Sequence, residues 1–112
     1  DAEAFFRNVK ASILFLGATG ISLERGLTTF TPIHATIKSA MISAAEKVVL
    51  LADASKFKVE GAFHFADLDE IDCIITSEPI DNADMERKLE EVGTEVIVTK
   101  NRRRDKTPTL AE

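Results

Sequence analysis

Four short apolar runs constrain the fold of this chain more than any other feature of its sequence. They are SILFLG (12–17), VVLLA (48–52), CIIT (73–76) and EVIVT (95–99). Short continuous apolar runs that are stopped by polar residues or glycine are typical of strands covered on both faces. Because helical or irregular segments separate these runs, the pattern predicts a three-layer α/β fold, in which helices cover both faces of a mostly parallel sheet.

The segment TPIHATIKSAMISAAEK, which starts at residue 31, has the features of a helix. Thr31 can cap its N-terminus, and Pro32 suits the first turn because the missing N–H group of proline would have no partner there. An apolar stripe with helical spacing follows, and we expect it to face the core: Ile33, Ile37, Ala40, Met41 and Ala44.

Two further helices are predicted. In NADMERKLEEVG (82–93), an apolar face contains Met85, Leu89 and Val92, and Gly93 supplies the left-handed position that commonly ends a helix. In AEAFFRNV (2–9), one face is apolar over Ala2, Phe5, Phe6 and Val9.

The remaining segments show weaker patterns. ATGISLERGLTTF (18–30) contains two glycines and no clean period, which favours a loop. We interpret the next segment, FKVEGAFHFADLDEID, as a long connection that contains one short alternating strand, AFHFA. We therefore predict one domain over residues 1–99, followed by a polar basic tail over residues 100–112.

Composition narrows the class of protein. The chain has 112 residues, of which 45% are hydrophobic, enough for one small domain with a core. No apolar run approaches the roughly 20 residues that a membrane span needs, so we expect no membrane partner. The single cysteine, Cys73, favours a reducing compartment, and we expect a cytoplasmic protein. The chain opens on Asp1 rather than Met, which suggests a piece of a longer protein.

Charge is unevenly distributed along the chain. Five of the 14 basic residues lie in KNRRRDK (100–106), so residues 1–99 carry 9 basic against 17 acidic side chains, a net charge of −8. A body with this charge repels a phosphate backbone. We therefore expect the chain not to bind duplex DNA specifically, and we interpret the tail as solvated.

Polar residues follow the first and second runs, where each predicted strand ends. Asp53 and Lys56 follow VVLLA, and the loop with Gly17, Thr19 and Gly20 follows SILFLG. If the strands are parallel neighbours, both loops open at the same sheet edge, where α/β proteins bind ligands. A carboxylate can accept from hydroxyl groups, and an ammonium can hold an anion. The alternative is that Asp53 caps a turn and Lys56 is solvated.

No cofactor or metal site is predicted. His34 and His64 are far apart in sequence and have no cysteine beside them. The acidic run DLDEID (67–72) lacks the spacing and the glycine of a calcium loop, and we expect Asp67 to cap a short turn instead. The glycines at 17 and 20 lack the third glycine of a dinucleotide fingerprint, so we interpret them as turn residues that let the backbone approach a small ligand.

A family resemblance rests on two segments, FLGATGISLERGLTT followed by IKSAMISAAEKVVLLADASKF. In these segments the chain resembles the C-terminal sensor domain of bacterial DeoR-family transcription regulators. The resemblance covers about residues 1–99. The ADASK element is also similar to one in type A ribose-5-phosphate isomerase, which shares that fold. The resemblance implies a Rossmann-like, isomerase/CoA-transferase-type architecture that is incomplete at its N-terminal side. It also implies binding of a phosphorylated sugar or related metabolite, control of an absent N-terminal helix-turn-helix, and homo-oligomers.

The alternative interpretation is that the chain is a fragment of a sugar-phosphate isomerase-like enzyme. The identity of Thr19 helps to distinguish the two interpretations. The isomerases carry acidic residues in the loop that aligns with GATGI, and many of the regulators have an aspartate at the position of Thr19. A threonine hydroxyl can bond a sugar hydroxyl but cannot act as a general base near neutral pH. We therefore expect an effector-binding module without enzyme activity. A third possibility is that the chain serves mainly as an assembly interface.

Overall fold

A computed structural model of the protein describes residues 11–99, so the predicted helix at 2–9 and the tail at 100–112 lie outside the described residues. The described strands are β1 (Ala11–Leu16), β2 (Gly20–Ser22), β3 (Gly26–Thr29), β4 (Ala45–Leu51), β5 (Phe63–Ala66), β6 (Cys73–Thr76) and β7 (Glu95–Val98). The helices are α1 (Pro32–Ala44) and α2 (Ala83–Val92), with short 3₁₀ turns at Ala54–Lys58 and Leu68–Glu70.

The four predicted strands form one parallel sheet in the order β1-β4-β6-β7. β4 lies between β1 and β6, with Leu16 opposite Leu50 and Leu51 opposite Ile75. The prediction of a mostly parallel α/β sheet is therefore confirmed. α1 contacts β1 and β4, and α2 contacts β7.

A second, antiparallel sheet was not expected from the sequence. It has the order β2-β3-β5 and includes the predicted strand AFHFA. The prediction that residues 18–30 form only a loop was wrong, because β2 and β3 form a hairpin there. All four residues of β3 are buried, so no alternation of polar and apolar residues marks the strand.

The caps predicted at Thr31 and Gly93 are confirmed, and α2 has an N-terminal cap that was not predicted. The Thr31 side chain accepts a hydrogen bond from the His34 N–H at 3.2 Å, and Asn82 caps α2 through the Met85 N–H at 3.0 Å. Gly93 follows α2 with a φ of +83°. Each cap satisfies an N–H or C=O group that has no partner within its helix.

The predicted stripe of α1 was partly wrong. The buried residues of the helix are Ala35, Ala40 and Ile42, whereas Ile33 is 65% exposed. Small and apolar residues lie all round this helix, so its period allows more than one inward face. Contacts of α1 with β5, β1 and β3 decide which face is buried.

One face of the parallel sheet packs into the core, and the other leaves several large apolar side chains exposed, although Val49 and Cys73 on that face are buried. Leu16, Val48, Leu50 and Ile74 belong to one continuous buried cluster that also contains side chains of the second sheet and of both helices. On the opposite face, Ile13, Phe15, Leu51 and Ile97 are each at least 40% exposed. The prediction that these strands are covered on both faces therefore fails for the outer positions of the sheet.

Gly26 and Gly93 provide a test of the hairpin. Both have positive φ, but an added Cβ at Gly26 would lie 2.4 Å from the Ala66 carbonyl oxygen, whereas one at Gly93 would meet nothing within 4 Å. We expect Gly93→Ala to lower the free energy of unfolding by about 1 kcal/mol, the left-handed penalty alone. Gly26→Ala should lower it by at least about 2 kcal/mol, because β3 must also move away from β5.

Urea denaturation of the wild type and both glycine variants measures the two losses. Gly93→Ala is the matched control, because it has the same backbone penalty without the steric contact. Equal losses in the two variants would contradict the hairpin packing at Ala66.

Candidate functional site

The carboxyl ends of β1, β4 and β6 meet at one edge of the parallel sheet. The Ala52 N–H donates to the Ile75 carbonyl at 3.1 Å, so the register continues past the end of β4. Gly17 directly follows β1, and a Cβ built there would lie 3.8 Å from the Leu51 carbonyl oxygen. The loop after β1 and the segment after β4 are therefore neighbours, as the sequence predicted.

Asp53 caps the 3₁₀ turn Ala54–Lys58. One of its carboxylate oxygens accepts from the Ser55 N–H at 3.0 Å and from the Ser55 hydroxyl. The hydrogen bond from the hydroxyl, followed by that from the N–H, lowers the pKa of Asp53 below its ordinary value. Asp53 is exposed, so it is a solvated carboxylate whose other oxygen faces no hydrogen-bond donor among the described residues.

Lys56 lies in the same turn, and its backbone N–H donates to the Asp53 carbonyl at 3.1 Å. Its side chain is half-buried. Among residues 11–99, no carboxylate oxygen lies within 4 Å of the Lys56 ammonium. The turn thus presents a carboxylate and an ammonium group close together at the sheet edge.

The hairpin β2–β3 holds the loop after β1 against this turn. The Thr19 N–H donates to the Thr28 carbonyl at 3.1 Å, and β2 contacts the turn Ala54–Lys58. Gly20 is buried, and a Cβ there would lie 2.1 Å from the Val59 carbonyl oxygen. Close approach of this chain's own backbone therefore accounts for glycine at position 20.

Thr28 connects the hairpin to the segment that follows the turn. Its buried hydroxyl accepts from the Gly61 N–H at 2.7 Å and donates to the Gly20 carbonyl at 3.3 Å. The guanidinium group of Arg25 donates to the carbonyls of Gly61 and Ala62 at 2.9 and 3.0 Å. These bonds fix one end of the segment that carries Asp53 and Lys56. The other end is fixed because it continues directly from β4.

Lys38 is a cation at this edge that no motif in the sequence indicated. It is on α1, its ammonium donates to the Gly17 carbonyl at 2.7 Å, and it lies 5.3 Å from the centroid of the Phe65 ring. Burial lowers its pKa below the ordinary value, because desolvation disfavours the charged form. One signal was present in the sequence: Lys38 is the only residue of α1 with an Asp, Glu, Lys or Arg side chain.

A separate cleft of about 440 Å³ lies between α1 and β5. Its polar lining consists of Thr36, Ser39, Ser43, His64 and Glu70. No lysine or arginine among residues 11–99 lines it, and Glu70 would repel an anion. An anionic ligand therefore suits the sheet edge better than this cleft.

The other candidate residues lie elsewhere. His34 is exposed in the first turn of α1, and His64 lies 2.8 Å from the Asp67 carboxylate. Asp67 occupies the N-cap position of the turn Leu68–Glu70, as predicted, and its N–H donates to Glu70 at 2.8 Å. Within residues 11–99, no helix is long and apolar enough to cross a membrane.

The hydrogen bond from Ser55 to Asp53 gives a pH-dependent prediction. A lowered folded-state pKa means that the bond stabilises the turn above the ordinary carboxyl pKa of about 3.9, and that this contribution is lost as the pH falls through the lowered value. In Ser55→Ala the Asp53 pKa should rise towards the ordinary value, because the largest cause of the shift is gone.

An NMR titration of the Asp53 side-chain carboxyl measures this pKa directly. Ser77→Ala is the control, because Ser77 is an exposed serine after β6 and should leave the titration unchanged. An Asp53 pKa that is the same in wild type and Ser55→Ala would show that the hydroxyl does not stabilise the carboxylate.

Residues 1–78 match the family model described as the DeoR C terminal sensor domain. The chain is 40% identical over 96 residues to the HTH-type transcriptional regulator GlpR of Haloferax volcanii, which covers 86% of this chain and 37% of that protein. It is 36% identical over 98 residues to the putative aga operon transcriptional repressor of Escherichia coli O157:H7, covering 88% of the chain and 36% of the relative.

A further relative is the HTH-type transcriptional regulator IolR of Bacillus subtilis, with 40% identity over 82 residues, 73% of this chain and 33% of that protein. The chain therefore spans about a third of the length of the curated relatives that it matches.

Proposed function

Because this chain belongs to the DeoR C-terminal sensor domain family, we propose that it binds a phosphorylated sugar or a related anionic metabolite and passes that signal to a DNA-binding helix-turn-helix outside the chain. The curated relatives are transcriptional regulators, so the chain is a sensor domain and not an enzyme. The observation that carries the proposal is the sheet edge where Asp53 and Lys56 stand beside the loop after β1.

In the proposed site, the Lys56 ammonium holds the anionic group of the metabolite and Asp53 accepts from its hydroxyl groups. The absence of a carboxylate within 4 Å of Lys56 among residues 11–99 supports the first role. The lowered pKa of Asp53 supports the second, because an ionised carboxylate only accepts hydrogen bonds. Gly17 and Thr19 form the facing loop, and Gly20 lets that loop bend against the turn.

The chemistry at this edge also argues against the isomerase alternative. Thr19 lies in the loop that aligns with the acidic loop of the similar isomerases, and a hydroxyl is not a general base near neutral pH. Asp53 is a carboxylate of the same proposed site, but a lowered pKa makes a carboxylate a weaker base. Both side chains are suited to holding a ligand.

DNA contact is proposed to reside outside this chain. The relatives are called HTH-type regulators, and residues 1–99 of this chain carry a net charge of −8, from 9 basic and 17 acidic side chains. Such a surface repels duplex DNA. Action on DNA also supports a cytoplasmic location for the whole regulator.

The full three-layer, isomerase/CoA-transferase-type architecture is part of the same proposal. The outer face of the parallel sheet, defined by Ile13, Phe15, Leu51 and Ile97, leaves large apolar side chains exposed. A second helical layer would bury such side chains, and because each is already about half-buried, it would add roughly half of the ~1.5–3 kcal/mol that full burial contributes. We propose that further segments of the regulator supply this layer.

The effector proposal is tested in the intact regulator by effector-dependent release of DNA. The probes are a panel of aldose and ketose phosphates, each paired with its unphosphorylated sugar. Lys56→Ala should weaken the response to the phosphates roughly ten-fold or more, since a charged hydrogen bond contributes on the order of 1.5–3 kcal/mol. Asp53→Asn keeps an oxygen that can cap the turn but removes the charge, and should weaken it as well.

Lys58→Ala is the matched control, because Lys58 is an exposed lysine of the same turn. A wild-type response in both Lys56→Ala and Asp53→Asn would overturn the site. The turn would then serve only to connect β4 to the segment after it.

Self-association is the last element of the proposal. Among the described residues, the outer face of the parallel sheet leaves large apolar side chains exposed, and we expect two copies of the chain to cover them. Phe15→Glu should shift the chain towards monomer in sedimentation experiments. Phe30→Glu is the control, because Phe30 is similarly exposed but precedes α1. A strict monomer at high wild-type concentration would contradict the expectation.

A further inference from the structure

The Lys38 ammonium lies at the carboxyl end of β1 and has no counter-ion among the described residues. Its hydrogen bond to the Gly17 carbonyl, at 2.7 Å, is its one contact with an acceptor within residues 11–99. No carboxylate oxygen of those residues lies within 4 Å of it. An ammonium group has three N–H donors, so this contact leaves two of them for a ligand.

The environment of Lys38 is unusual for a lysine whose only task is to support a loop. Its side chain is half-buried, and burial of a charge without an opposite charge carries an energetic penalty. The Phe65 ring, 5.3 Å away, compensates only in part through its negative face. A neutral donor could hold the Gly17 carbonyl without this penalty, so the charge itself calls for an explanation.

Lys38 and Lys56 approach the same sheet edge from different elements. Gly17, which holds Lys38, directly follows β1, and Lys56 follows β4. β1 and β4 are parallel neighbours, with Leu16 opposite Leu50. Adjacent strands lie about 4.8 Å apart, so Gly17 and the start of the segment that carries Lys56 lie side by side at one edge.

We propose that Lys38 is a second anion-binding residue of the effector site, which donates its free N–H groups to the phosphate of the metabolite. This inference rests on the proposed function and names a residue that the ADASK motif does not contain. The hydrogen bond to Gly17 holds the ammonium in place before the ligand arrives. Less side-chain freedom is then lost on binding.

The experiment is isothermal titration calorimetry of the intact regulator with the panel of aldose and ketose phosphates, their unphosphorylated sugars and inorganic phosphate. Lys38→Met removes the charge at nearly constant length. We expect it to weaken binding of the tightest phosphorylated sugar roughly ten-fold to a hundred-fold, and to leave any binding of the unphosphorylated sugar unchanged. Lys38→Arg keeps the charge and should recover part of the loss.

Lys47→Met is the matched control, because Lys47 is an exposed lysine near the opposite end of β4. Thermal unfolding of each variant checks that the domain is folded. A role limited to holding the Gly17 carbonyl predicts an equal loss for phosphorylated and unphosphorylated sugars in Lys38→Met, and that outcome would overturn the inference.

Lys56→Ala, measured in parallel, separates the two proposals. If Lys56→Ala weakens binding and Lys38→Met binds like wild type, the inference fails and the proposed function stands. If both variants bind like wild type, or if the wild type binds no phosphorylated sugar, both proposals fail. Loss of phosphate selectivity in Lys38→Met with recovery in Lys38→Arg supports the inference.

Discussion

The parallel pairing of β4 with β1 on one side and β6 on the other is the constraint on which the rest of the structure depends. Val48, Val49 and Leu50 are buried in this central strand, so its backbone N–H and C=O groups need partners, which the neighbouring strands supply except at the Val48 N–H, where the Asp72 carboxylate accepts at 2.7 Å. Parallel pairing brings the carboxyl ends of all three strands to one edge. The polar residues that follow them become neighbours, although they are far apart along the chain.

The small antiparallel sheet fixes the relative positions of the loops at that edge. Its hairpin packs β2 on the 3₁₀ turn after β4, and the Thr28 hydroxyl satisfies two backbone groups, those of Gly20 and Gly61. An unpaired buried N–H would cost about 1–3 kcal/mol, so these bonds fix the separation of the two loops. A change in the hairpin would therefore move the loop after β1 relative to Asp53, which is one physical way for a bound ligand to be sensed.

The positive charge of the two lysines of the proposed site contrasts with the net negative charge of residues 1–99. Residues 1–99 are strongly acidic, yet neither Lys38 nor Lys56, the two lysines of the proposed site, has a carboxylate within 4 Å among residues 11–99. Acidic surroundings lower the affinity for extended polyanions such as DNA. Two local cations can still hold a single small anion, because a charged hydrogen bond acts over about 3 Å and long-range repulsion is screened by salt. This distribution supports the proposal that DNA is bound outside this chain.

The sequence by itself determined the four parallel strands, the caps at Thr31 and Gly93, and the placement of Asp53 and Lys56 after a buried strand, because continuous apolar runs and capping residues act locally. Only the tertiary structure decided three other features. The strands β2 and β3 are too short for a period. The inward face of α1 was chosen by its contacts with β5, since Ile and Ala lie all round the helix. The position of Lys38 beside Gly17 joins residues 21 positions apart, and long-range contacts of this kind leave no spacing pattern in a sequence.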